Sequence, residues 1–185
     1  MRFFFFLLLT ISLNAQLSKI HYIPPIASSS GALPNQGQYL YISTPSITEI
    51  DVLITPVGGT SQVVTVSNSN PYEYQIQGLN GPGTSQITLV GNNSNQTAYV
   101  RDDRGYIIES GGSEIYVALR VMNSVHAGAL VSKGDSALGT QFKIGGFTNY
   151  NSDPTMSTFL SVMASEDGTQ LTLNDVNENV DIVDL

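Results

Sequence analysis

From residue 39 onward the apolar side chains of this chain fall in short runs, either alternating with polar residues or clustered together. The runs are residues 39–42, 50–54, 62–66, 72–76, 86–90, 98–100, 106–109, 115–122, 129–131, 142–147, 159–164 and 170–173. A period of two, rich in β-branched and aromatic residues, is the pattern of strands that bury one face. Between the runs lie PVGGT, SNSNP, NGPG, GNNSN, ESGGS and EDGT. Gly, Asn, Asp and Pro in such clusters supply the backbone angles of tight turns. No segment of comparable length carries a helical period; only 123–127 could coil briefly. The pattern predicts an all-β chain, an antiparallel β-sandwich of short strands, with a barrel or a piece of a propeller as the alternatives.

Three stretches modify that picture. Residues 16–37 hold Pro24, Pro25 and Pro34, each without a backbone donor, and are expected to run as an extended lead-in outside the central strands. Residues 38–155 are expected to form the β-sandwich module. The plan of YLYISTPSITEIDVLIT, strand, polar turn, alternating strand, returns in TFLSVMASEDGTQLTLN. Residues 156–185 are therefore expected to start a second β module, cut short at Leu185, in a chain that is the N-terminal part of something longer.

The first residues belong to another pattern. Arg2, an unbroken apolar run over 3–9, and then Ser12, Asn14 and Ala15 have the layout of a secretory signal peptide over 1–15, with cleavage after Ala15. The run is far shorter than the ~20 apolar residues that span a bilayer, so no membrane insertion is expected once the signal is removed. A secreted, extracellular or outer-surface location follows as the expectation.

Charge and cysteine content narrow the chemistry. With 7 Lys and Arg against 15 Asp and Glu, the formal net charge is −8. Nucleic-acid binding draws its affinity from cations that neutralise phosphates, which this balance disfavours. Cysteine is absent. Disulfides, thiol nucleophiles and cysteine-based zinc sites are thereby excluded.

Candidate chemical groups are few. Of the two histidines, His21 sits in HYIPPI and His126 in NSVHAG. A relay would need one of them beside an exposed serine and a carboxylate. The chain has neither a G-x-S-x-G elbow nor an H-E-x-x-H helix, so both histidines read as packing or turn residues. The pairs Asp102-Asp103 and Glu166-Asp167 are adjacent in sequence and point to opposite faces of an extended chain, which does not suit facing catalytic carboxyls. RDDRG reads as a turn with local ion pairs, EDG as a hairpin turn whose glycine takes positive φ. Oxygen side chains alternate over Asp175, Asn177, Asn179 and Asp181, but Val180 stands where a calcium loop needs Gly. Asn92 and Asn95 match the N-x-[ST] rule of eukaryotic secretion. Tyr39 with Tyr41, and Tyr72 with Tyr74, each share one strand face. On an exposed face such a pair would make a carbohydrate platform, but the core reading is favoured for both. No catalytic residue, cofactor or metal is expected.

The blocks HYIPPI, QYLYISTPS, SNSNPYEY, RGYIIES with IYVALRV, AGALVSKGDSALGTQFKIGGF and SVMASEDGT, in this order, resemble the IgGFc-binding-protein N-terminal domain family. The version resembled occurs in large exported Bacteroidetes proteins linked to gliding motility and type IX secretion. The likeness runs from His21 to about Leu173. It implies an extracellular β module of a surface protein, with adhesion as its role and an extracellular protein or glycan as its partner. It also makes Asp135-Ser136-Ala137 resemble an O-glycosylation acceptor, with Ser136 as the modified residue. The function expected is non-catalytic binding; the alternative is a secreted polysaccharide-active enzyme or its carbohydrate-binding appendage.

Overall fold

The computed structural model describes residues 16–28, 37–77, 87–90, 100–123, 126–145 and 160–174. Its strands are β1 (Ile20–Ile23), β2 (Ile26–Ser28), β3 (Gly37–Ser43), β4 (Ile50–Pro56), β5 (Gln62–Val66), β6 (Tyr72–Gln77), β7 (Thr88–Val90), β8 (Tyr106–Ser110), β9 (Tyr116–Asn123) and β10 (His126–Val131). They build two four-stranded sheets, β1-β8-β4-β5 (sheet I) and β10-β9-β3-β6 (sheet II). Every pairing within these two sheets is antiparallel. A short parallel pair, β2 with β7, stands beside them. The expected all-β, sandwich-like class is the one observed.

Alternation decides which residues fill the space between the sheets. Along β3 the even positions Leu40 and Ile42 are fully buried; along β4 they are Val52 and Ile54. Val64 and Val66 of β5, Ile108 of β8, and Val117 and Leu119 of β9 join them in one core cluster with Ile23, Ile87, Tyr106 and Ile115. Each such side chain contributes about 1.5–3 kcal/mol when taken out of water. Tyr74 of β6 and Tyr106 of β8 meet edge to face, with centroids 5.7 Å apart. This pair joins the two sheets through their interior, and burial pushes the Tyr106 hydroxyl far above the ordinary tyrosine range, with the neighbouring Tyr74 adding to the effect.

Several stretches differ from the sequence expectation. The expected lead-in is part of the sandwich: β1 pairs with β8 along sheet I, and His21 and Ile23 are fully buried. The prolines do their predicted work only locally, because Pro24 and Pro25 lie between β1 and β2. As an edge strand, β1 needs hydrogen bonds on one side alone. Residues 123 and 126 are not helical; they are register partners at the end of β9 and the start of β10. The runs 142–147 and 159–173 form no strand in their described portions, residues 142–145 and 160–173. Phe142, Ile144, Leu160, Val162 and Leu171 are exposed there, since among the described residues no ladder partner lies beside them. The 160–174 stretch reaches the sandwich: a methyl group on Gly105 would meet Met163 Sδ at 3.5 Å and Pro25 Cδ at 3.6 Å. Its EDGT turn does form, with Gly168 at φ +72° and the Thr169 hydroxyl donating to Glu166 O at 2.7 Å. Among the described residues no helix is long and apolar enough to cross a membrane.

Candidate functional site

The outer face of sheet II is where alternation and chemistry meet. Because Leu40 and Ile42 point inward, Tyr39 and Tyr41 must point outward, and both are only half-buried. Their rings lie 6.2 Å apart at an interplanar angle of 46°. The core reading of this pair is therefore corrected. For Tyr72 and Tyr74 it holds: Tyr72 faces Ile42 in register, Tyr74 faces Leu40, and both pack on the core. The two pairs share a period but not a parity, and parity relative to Leu40 and Ile42 was the readable signal that separates them.

Register places polar groups on either side of the outward tyrosines. On β6, Gln75 stands opposite Tyr39 and Glu73 opposite Tyr41. On β9, Arg120 stands opposite Tyr39 and Ala118 opposite Tyr41. Arg120 leans along the strand so that Cζ sits 5.0 Å from the centre of the Tyr41 ring. A guanidinium held over an aromatic face at this distance gains about 0.5–1 kcal/mol where water has access. The neighbouring Glu73 carboxylate, followed by burial, raises the Tyr41 pKa above the usual tyrosine value. Tyr116, opposite Ser43, extends the aromatic strip diagonally across β9. Ala118 points to the same side and is nearly covered, so the larger side chains around it close over it.

Two backbone features fix the strip. A register shift between Gln38 and Tyr39 marks a bulge in the β3–β6 pairing, and bulges re-aim the side chains beside them. At Gly37, φ is +154°, and the Tyr39 ring folds back over the place a Cβ would occupy: its hydroxyl oxygen and Cζ would stand 2.7 and 2.8 Å from that atom. Only glycine leaves room for this ring position.

The remaining sequence candidates lie away from this strip or outside the described residues. His21 is fully buried, with Nε2 2.9 Å from Ile115 O. A carbonyl can only accept, so Nε2 carries the proton. Burial lowers the pKa of this imidazole, partly offset by the Ile115 and Ser18 backbone and by the charge of Asp135. Ser18 and Asp135 lie nearby but join each other: Ser18 Oγ donates to Asp135 Oδ2 at 2.9 Å, and Asp135 N donates to Ser18 Oγ at 3.3 Å. A relay requires serine to bond imidazole and the carboxylate to orient it. Here serine bonds the carboxylate and the imidazole bonds backbone: Ser18 and Asp135 fasten the 3-10 turn Gly134–Ala137 to the entrance of β1, and His21 ties β1 to Ile115. Ser136, the modification candidate, is exposed on that turn. His126 opens β10.

Asp103 of RDDRG binds Arg101 through two hydrogen bonds of 3.0 and 3.1 Å and Arg104 Nη1 at 2.9 Å. The Arg101 guanidinium holds its carboxyl below the usual aspartate range. The signal cleavage position after Ala15, Asn92 and Asn95, and the 175–181 oxygen pattern lie outside the described residues. Among the described residues no group of three or more His, Asp or Glu could hold a metal ion.

Sheet I offers a contrast. A shallow, open depression of about 420 Å³ on its outer face is lined by Asp51, Leu53, Val63, Glu109, Ser110 and Gly111. Asp51 and Glu109 are exposed there, without the enclosing cleft that holds a sugar between two carboxyls in glycoside hydrolysis. Compared with known proteins, the chain matches no family model, no curated protein and no solved structure.

Proposed function

We propose that this chain is an exported, non-catalytic binding module of an adhesin-like surface protein, and that its ligand is a glycan received on the outer face of sheet II. The observation that carries the reading is the outward pair Tyr39 and Tyr41, with Arg120 over one ring and Glu73 and Gln75 alongside. Aromatic faces pack on the apolar C–H faces of sugars, and a flanking carboxylate, amide and guanidinium can accept from and donate to ring hydroxyls. Supporting the exported, surface-bound part are the leader-like first 15 residues and the likeness of the motif blocks to the IgGFc-binding-protein N-terminal domain family. In this reading binding involves no bond chemistry, and the Ser18–Asp135 and His21–Ile115 hydrogen bonds serve the fold.

The test is a glycan array probed with labelled protein, wild type against Tyr39→Ala/Tyr41→Ala. Binding to a defined group of glycans that the double variant loses, with its circular dichroism unchanged, supports the proposal. An array without any bound glycan refutes it.

A further inference from the structure

The geometry points to one class of glycan for this face: the interior of a single, soluble, uncharged polysaccharide chain with an extended β-linked backbone. This inference rests on the glycan-binding reading above and names its substrate class. We infer it from four observations, each of which excludes an alternative.

The first is the tilt. Two rings inclined by 46° cannot both lie flat on one plane. A crystalline polysaccharide presents a planar array of sugar faces, to which only coplanar rings could stack together. Successive faces of a free chain turn relative to one another, and two inclined rings match that turn.

The second is the line of the rings. Tyr39 and Tyr41 are two residues apart on one strand, so their centres follow the straight axis of β3, 6.2 Å apart. Sugar units that follow one another along a straight line belong to extended β-linked ribbons. A coiled α-linked glucan would curve its next unit away from the second ring.

The third is charge. Among the described residues Tyr41 is flanked on this face by one cation, Arg120, and one anion, Glu73, on a chain whose formal net charge is −8. A polyanionic glycan would meet repulsion from the protein as a whole, and the single guanidinium has a carboxylate as neighbour. Hydroxyl groups suit the pair better: the carboxylate accepts where the guanidinium donates.

The fourth is openness. Among the described residues the strip lies on the outer face of a sheet, on the side of β3 away from the core. A closed pocket selects chain ends, whereas an open strip accepts the middle of a chain.

Affinity electrophoresis in gels containing one polysaccharide each tests this directly, with the pelleting of protein by insoluble material as the companion assay. The soluble neutral probes are hydroxyethylcellulose, xylan and galactomannan. The anionic probe is alginate, the α-linked probe amylopectin, and the insoluble probe microcrystalline cellulose. Retardation by at least one neutral β-linked probe is expected, with none by alginate or amylopectin and no pelleting. Tyr39→Ala and Tyr41→Ala should each weaken the retention about tenfold, equivalent to about 1.4 kcal/mol. Tyr39→Phe keeps the ring and should retain binding within about threefold, which separates loss of stacking from loss of fold. Arg120→Ala should also weaken retention, through the missing donors.

Retention by alginate or amylopectin, or pelleting with cellulose, overturns the substrate class while leaving the glycan-binding reading intact. Retention that the three alanine variants all preserve overturns the substrate class and the sheet II reading together, because the strip would then not be the contact. Retention by no probe, together with an empty glycan array, overturns both.

Discussion

Replacing Gly37 by Ala tests whether the Tyr39 ring is held by its own strand. The new Cβ would stand 2.7 and 2.8 Å from the ring's hydroxyl oxygen and Cζ, well inside van der Waals contact. Two costs follow, of different origin. A side chain at φ +154° strains the backbone, at about 1–3 kcal/mol for such conformations. The ring must also swing out of its rotamer, a further cost of about 0.5–1.5 kcal/mol. The first cost remains whatever occupies position 39; the second disappears when the ring is absent. A double-mutant cycle with Tyr39→Ala should thus be non-additive by about 0.5–1.5 kcal/mol, the double variant being more stable than the two single changes predict. Urea unfolding followed by far-UV circular dichroism measures it, since the chain has no Trp to report by fluorescence. Gly37→Ala should also lose polysaccharide retention to the extent that Tyr39→Ala does. Additivity within about 0.3 kcal/mol would refute the packing of ring on glycine.

Other expectations follow from the buried groups. The His21 pKa is lowered in the folded state by burial, so the unfolded chain takes up the proton first as pH falls. Stability should decline from about pH 6.5 down to the lowered folded value and level off below it, and His21→Gln should flatten that slope in urea midpoints measured from pH 7.5 to 5. Ile42→Ala, at a fully buried position, should cost about 2–5 kcal/mol in the same titration. Val63→Ala, 60% exposed on the outer face of sheet I, should stay within about 0.5 kcal/mol of wild type. Ser18→Ala leaves the Asp135 carboxylate without its hydroxyl donor, so amide exchange around residues 134–138 should accelerate while exchange in β3 and β9 does not.

Strand identity was largely legible because alternation and turn residues agree: the residues of β5 were read to the position, and those of β3, β4, β6, β8 and β9 within a few residues. Pairing was not. Nothing local in IHYI says that it joins YIIES more than eighty residues later, and Pro24-Pro25 alone argues against any strand there. The turn at EDGT was legible from Asp-Gly, but its flanks alternate just as true strands do and lack a ladder partner among the described residues. The outward aromatic strip was half legible. A shared face for Tyr39 and Tyr41 follows from spacing, but which face depends on packing across the sandwich. Arg120 and Glu73 reach the tyrosines through register across three strands, which no spacing in one segment encodes.

The strand order also governs when the fold can close. β8 lies between β1 and β4, and β9 lies between β10 and β3, so each sheet is stitched by a strand that comes late in the chain. A polypeptide emerging N-terminus first presents β1 long before its only ladder neighbour exists. β4 and β5 can form a hairpin early, but sheet I is not whole until residues 106–110 have followed, nor sheet II until residues 116–131 have. Such sequence-distant pairing folds slowly. During passage through any narrow channel the leading two-thirds of this chain therefore stay threadable, and the sandwich locks only after the last strands have cleared it.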